Sequence, residues 1–139
     1  MMSKLKKISE ATNVINWFDI PVLDSERARK FYETILDIKM HTQYIEETDE
    51  ELTFFPSETG VIQATSGRVT GALTRSERVK PSSQGILIYL NASPEIQTVL
   101  DRIEPAGGKV LVPKMLIKAG YIAVIMDSEG NRVGLHAES

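Results

Sequence analysis

Apolar positions along this chain recur first at strand spacing, then at helix spacing, then at strand spacing again, and the whole order is written twice. Val14 to Val22 (VINWFDIPV) is a largely apolar run that ends at Asp24. From Ser25 to Leu36, the residues Ala28, Phe31, Tyr32, Ile35 and Leu36 fall on one face at helical spacing, which predicts a strand feeding an amphipathic helix. Gly85 to Asn91 (GILIYLN) repeats the strand. Ser93-Pro94-Glu95 then predicts an N-cap followed by proline at the first helical position. Ile96, Val99, Leu100 and Ile103 form the second helical stripe, and Gly107-Gly108 stops it by offering the left-handed conformation of a helix C-terminus.

Three extended segments are expected after each helix. In the first half they are Ile38 to Tyr44, Glu51 to Phe55, and one within Gly60 to Thr74. In the second they are Lys109 to Val112 with a loose extension to Ile117, Tyr121 to Met126, and Arg132 to His136. Asp127-Ser128-Glu129-Gly130-Asn131 combines turn-forming side chains with a glycine, so the last two segments form a hairpin. The predicted fold is α+β, with two βαβββ modules at about 13–75 and 85–137. Residues 76–84 are polar, charged and broken by Pro81, and read as an exposed linker. One module alone leaves a sheet face uncovered, so the two sheets are expected to pair within a single domain, 13–139, preceded by an extension, 1–12.

Composition narrows the function classes. A chain of 139 residues with 42% apolar and 25% charged residues is an ordinary globule, and its net charge of −3 offers no basic field for nucleic acid. Cysteine is absent, which excludes disulfides, thiolate catalysis and sulfur-ligated zinc. Residues 1–12 hold lysines but no apolar core of a secretory signal, and no segment is long enough to span a bilayer. A cytoplasmic protein without membrane or nucleic-acid partners is expected.

Phe18 to Ala28 (FDIPVLDSERA) with Phe31-Tyr32, then Gly107-Gly108-Lys109-Val110, then Asp127 to Leu135 (DSEGNRVGL), resemble the vicinal oxygen chelate superfamily. Its members include glyoxalase I, extradiol dioxygenases, and fosfomycin- and bleomycin-resistance proteins. The resemblance runs from about Asn13 to His136. It implies sheets curled around a cleft, commonly in a homodimer. It also implies where the divalent ion of the enzymatic members would be held: on the first and last strands of each module. In this chain the first-strand positions fall at Trp17 and, counting five residues back from Leu90, at Gly85. The last-strand positions fall at Gly71 or Ala72 and at Gly134. An indole, a methyl and glycines cannot supply the oxygen or imidazole donors that a divalent ion needs. No metal and no cofactor are therefore expected.

Ligand-contacting candidates follow from strand parity. Trp17 and Asp19 share one face of the first strand, which the resemblance makes the cleft wall. Trp17 is either a core aromatic or a stacking platform, and Asp19 either a carboxylate satisfied by its neighbours or the cleft's fixed acid. Leu87 and Tyr89 share the parity of Gly85, and Tyr89 is either a sheet aromatic packed on the helix or a hydroxyl offered to a ligand. Met115 suits an adaptable apolar rim. His136, two residues beyond Gly134, is a metal ligand, a general base or a lining or structural residue; His41 reads as a surface residue. Gln63, Lys114 and Tyr121 adjoin irregular stretches that could overhang the cleft.

Other chemistries lack support. Gly107-Gly108 follows a helix, so it is no phosphate cradle, and there is no nucleophile elbow or triad. The acidic run Glu46 to Glu51 lacks the spacing of a calcium loop. The expected function is metal-free binding of a small organic molecule in an apolar cleft, as in bleomycin-resistance proteins. The alternatives are a glyoxalase-type lyase or other enzyme of the superfamily, using metal held elsewhere or Asp19 or His136 as acid or base, and a sheet that serves only as a dimerisation scaffold.

Overall fold

The computed structural model describes residues 7–139. Each half is a βαβββ unit. The first comprises β1 (Trp17–Pro21), α1 (Ser25–Leu36), β2 (His41–Ile45), β3 (Glu50–Phe54) and β4 (Thr70–Arg75). The second comprises β5 (Tyr89–Asn91), α2 (Ile96–Ile103), β6 (Lys109–Ile117), β7 (Gly120–Met126) and β8 (Arg132–Ala137). They make two mixed four-stranded sheets, ordered β1-β4-β3-β2 and β5-β8-β7-β6, in which only the first strand of each module is parallel to its neighbour. The long third strand of the first half, sought within Gly60 to Thr74, is β4, and the residues before it form a loop.

The first strand of each module is shorter than the apolar runs suggest. Asn13 is bonded to the 55–69 loop, its N–H to the Ala64 carbonyl at 2.8 Å and its Oδ1 to the Gly67 N–H at 3.0 Å, so the ladder begins only at Trp17. In the second module Gly85 has φ +94°, outside the extended region, and pairing begins at Tyr89. The start of α2 also differs from expectation. Its N-cap is Glu95, not Ser93, and Pro94 precedes the helix. The side-chain cap is replaced by backbone: the Ile96 N–H donates to the Ser139 carbonyl at 2.8 Å, and the Ser139 hydroxyl donates to the Pro94 carbonyl at 2.7 Å. α1 follows the usual rule, with the Asp24 side chain accepting from the Arg27 N–H.

The buried stripes predicted for the helices are the ones that pack. Ala28, Phe31, Tyr32 and Ile35 of α1 and Ile96, Val99, Leu100 and Ile103 of α2 join Ile20, Leu73, Leu90, Ile125, Val133 and Leu135 in one apolar core. The two sheets pair through this core, helix against helix, and each strand ladder stays within its own module. Phe31 reaches across to the second module at Gly108, where an added Cβ would stand 2.7 Å from its ring and 2.6 Å from the Met126 carbonyl. Only glycine fits at 108.

The turn between β7 and β8 fastens one module to the other. Asp127 accepts from the Tyr32 hydroxyl at 2.6 Å, from the Glu129 and Asn131 N–H groups, and from the Asn131 amide. Asn131 also donates to the Pro21 carbonyl and accepts from the linker's Ser82 N–H. The Glu129 carboxylate accepts from the Leu23 and Asp24 N–H groups, each at 2.9 Å, and from Arg27 in a two-nitrogen fork at 2.6 and 3.0 Å. Burial disfavours its charge, but the bonds from Arg27, from the Asp24 and Leu23 N–H groups and from Ser128 outweigh that cost and hold its pKa below the ordinary carboxylate value. Tyr32 is driven the other way: burial, then the neighbouring Asp127 charge and its bond, raise its pKa well above normal, so it stays a neutral donor.

Glu129→Gln is expected to lower folding stability by about 1–3 kcal/mol at neutral pH, because charge-assisted bonds are replaced by weaker ones. A carboxyl with a depressed folded-state pKa stabilises the fold above its unfolded value and loses that contribution as pH falls through the folded value. The gap between the parent protein and Glu129→Gln, measured by denaturant titration, therefore narrows on acidification. A gap that stays constant from neutral to acid pH contradicts this account.

Candidate functional site

The core lies on the helix-covered face of each sheet, so the other face of each is open, and strand parity decides what stands there. On the first sheet, register aligns Asp19, Ala72, Phe54 and His41 in one row across β1, β4, β3 and β2. The next row is Pro21, Thr74, Leu52 and Gln43. On the second sheet, one row is Tyr89, Gly134, Val124 and Val112, and the next is Asn91, His136, Ile122 and Met115. Thr53, between Leu52 and Phe54, is fully buried against the core and fixes the parity of β3.

Trp17 is 43% exposed and stands on the open face of the first sheet rather than in the core. Its ring meets Phe54 edge-on, with centroids 6.3 Å apart, and Phe54 in turn meets His41 at 5.3 Å. The Trp17 indole N–H donates to Asp19 Oδ1 at 3.0 Å, and the Thr74 hydroxyl donates to the same oxygen at 3.1 Å. Two donors thus hold the carboxylate in place beside an aromatic row. The small side chains of Ala72 and Thr74 lie buried beneath these groups, which leaves the larger ones at the surface.

Tyr89 is 48% exposed and Met115 50%, both on the open face of the second sheet. The Tyr89 ring lies across Gly134, where an added Cβ would fall 2.6 Å from the ring, so it does not pack on α2. His136 is half-buried in the neighbouring row. Its Nε2 donates to the Ala119 carbonyl at 2.6 Å, which ties β8 to the β6–β7 turn and leaves only Nδ1 without that bond. Leu87 precedes β5 and, with Tyr89, lines an apolar recess of about 760 Å³ between the β1 and β5 edges. Phe18, Leu36, Ile38, Phe55, Ile88 and Leu90 form much of its wall. Lys114 reaches over the Tyr121 ring at 5.5 Å.

Trp17, Asp19, Tyr89, Met115 and His136 therefore occupy open sheet faces, two on the first sheet and three on the second, while Leu87 stands before the ladder, in the recess that Tyr89 also lines. Sequence reasoning missed Phe54, Thr74 and the place of His41 in the aromatic row. The two-residue period through Thr53, Phe54 and Phe55 carried that signal, since adjacent aromatics on a strand must face opposite ways.

Register also tests the fit of a divalent ion. The Val22 N–H donates to the Thr74 carbonyl and the Ala92 N–H to the His136 carbonyl, so Val22 corresponds to Ala92 and Trp17 to Leu87. The second-module position is thus Leu87, two residues beyond the Gly85 expected from sequence, because Leu90 was matched where Ala92 belongs. On the last strands, Ala72 lies opposite Asp19 and Gly134 opposite Tyr89. Trp17, Leu87, Ala72 and Gly134 offer no side-chain donor, and among the described residues no three His, Cys, Asp or Glu side chains converge. The residues do not fit the metal.

The family model for the Glyoxalase/Bleomycin resistance protein/Dioxygenase superfamily matches residues 14–135. The chain belongs to that superfamily. A comparison with curated protein sequences finds no match. Among solved structures, a glyoxalase/bleomycin resistance protein/dioxygenase domain from Frankia is similar, with 15% identity and TM-score 0.63 over 96% of this chain and 98% of that one. A glyoxalase/bleomycin resistance protein from Albidiferax ferrireducens has 16% identity and TM-score 0.62 over 91% and 100%. A mutant of glyoxalase I from Zea mays has 20% identity and TM-score 0.64, with 88% of this chain covering only 46% of the maize enzyme. At such identities the superfamily fold is shared. Among the described residues no helix is long and apolar enough to cross a membrane.

The crowding of Tyr89 over Gly134 gives a direct test. Gly134→Ala is expected to cost about 1–3 kcal/mol through overpacking. In a Tyr89→Ala background the same change is expected to cost distinctly less, as read from a double-mutant cycle of denaturation free energies. Equal costs in both backgrounds contradict the packing described.

Proposed function

We propose that this superfamily member binds a small organic molecule without a metal, in a cleft walled by the open face of its first sheet and the open second-sheet face of another copy. The observation that carries the reading is the Trp17–Asp19–Thr74 cluster. It is an aromatic platform with a fixed carboxylate, left at the surface of a sheet whose other face forms the core. Aromatic surface with a few placed polar groups is the usual make-up of a small-molecule site.

The homodimer is supported by what one chain leaves open. Both helix-covered faces turn toward one shared core, so its two open faces do not confront each other within the chain. β1 and β5 are sheet edges, and the 760 Å³ apolar recess lies between them. Exposed Ile15, Val69 and Ile86 adjoin it. A two-fold arrangement that sets β1 beside the partner's β5 covers the recess, satisfies both edges and brings unlike faces together.

Sedimentation at micromolar concentration is expected to give a dimer, and Ile86→Asp together with Ile15→Asp to give a monomer; a monomeric parent protein removes the second wall. The emission of Trp17, the chain's one tryptophan, is expected to change saturably with a planar compound. Trp17→Ala is expected to weaken that binding by about 1–3 kcal/mol. Elemental analysis after mild purification is expected to find no stoichiometric divalent metal. One tightly held zinc, nickel, iron or manganese, removed together with an activity, would instead support the glyoxalase-type reading.

A further inference from the structure

From the Asp19 carboxylate we infer that the ligand class of this cleft is a planar aromatic cation, an inference that rests on the small-molecule reading above. Both protein donors that reach Asp19, the Trp17 indole and the Thr74 hydroxyl, land on Oδ1. Oδ2 is left without a protein donor among the described residues, and no Lys or Arg there forms an ion pair with Asp19. A carboxylate held on one oxygen and open on the other presents a directed negative acceptor.

Its surroundings select the shape of what it accepts. The indole of Trp17 and the ring of Phe54 stand beside it, with centroids 6.3 Å apart, and His41 extends the aromatic row. A flat group stacked on the exposed indole, whose own N–H edge is bonded to Asp19, brings its edge rather than its face to the carboxylate. The edge must then carry N–H donors, and positive charge strengthens both the bond and the stacking on aromatic faces. On the proposed opposite wall, the rows of Tyr89 and His136 carry Val124, Val112, Ile122 and Met115 but no carboxylate. The cations on that face, Arg132 and Lys109, share the row of Met126 next to that of Tyr89, where the Arg132 guanidinium donates to the Gly85 carbonyl. Glu50, on the same face of the first sheet, is paired with Arg78 at 3.0 Å, so Asp19 is the acid of the cleft whose partner comes with the ligand.

The test uses three probes of one size on the full chain: 9-aminoacridine as planar cation, acridine as neutral analogue at pH 8, and anthracene-9-carboxylate as anion. Calorimetric titration is expected to show the cation binding at least about tenfold more tightly than the neutral analogue, the scale of one charge-assisted bond. Asp19→Asn keeps an oxygen for Trp17 and Thr74, so the fold is retained. It is expected to abolish that preference by weakening the cation, whereas Trp17→Ala weakens the cation and the neutral analogue alike. If acridine binds as tightly as the cation, or the anion binds best, the charge inference falls while the site stands. If no probe binds and Trp17 emission is unmoved, the cleft reading falls with it.

Discussion

The carboxylate of Glu129 holds the two halves of this protein in one arrangement. It is buried, yet it stays ionised because two backbone N–H groups at the start of α1 and the fork of Arg27 are aimed at it. Those N–H groups belong to Leu23 and Asp24, where the chain leaves β1 for α1, so the bond fixes how the first strand and helix of one module sit on the last hairpin of the other. Asp127 and Asn131 add the Tyr32 hydroxyl, the Pro21 carbonyl and the linker to the same junction. A hydrophobic core tolerates some sliding, since apolar contact has little direction. This junction does not, because its hydrogen bonds hold only over a narrow range of length and angle.

The position of the open faces follows from that fixation. With α1 and α2 side by side against a common core, neither sheet is available to close over the other. The groups that read as ligand-contacting are consequently shared between two outward surfaces, Trp17 and Asp19 on one, Tyr89, Met115 and His136 on the other. Register then sorts them. Asp19 stands opposite Ala72 and Tyr89 opposite Gly134, and small residues at 72 and 134 are what let the large neighbours lie flat.

Much of the fold was legible because its signals are local. The stripe Ala28, Phe31, Tyr32, Ile35 and the turn Asp127 to Asn131 each state their geometry within a few residues, and the superfamily motifs order them along the chain. What was not legible depended on distant partners. Ser93-Pro94-Glu95 resembles a helix start, but the acceptor for the first turn of α2 is Ser139, over forty residues away. Gly85 to Leu90 is an unbroken, mostly apolar run, yet ladder pairing with β8 takes only Tyr89 to Asn91. The register error that put Gly85 in place of Leu87 has the same origin, since it is settled only by which carbonyl on β8 the Ala92 N–H meets. At the site, parity was enough to group Trp17 with Asp19, Leu87 with Tyr89, and His136 with Gly134, each within its own strand. The joining of Phe54 and His41 to Trp17 needed the β2–β3 pairing.

Gly134 and Tyr89 occupy one volume between them. A side chain long enough to donate to a metal from position 134 has to pass through the space that the Tyr89 ring fills, so donor and aromatic are mutually exclusive. A donor at 134 therefore requires the Tyr89 ring to move aside or be replaced. A lineage, or an engineer, that restores a carboxylate at 134 first meets a crowded intermediate and gains nothing until position 89 changes too.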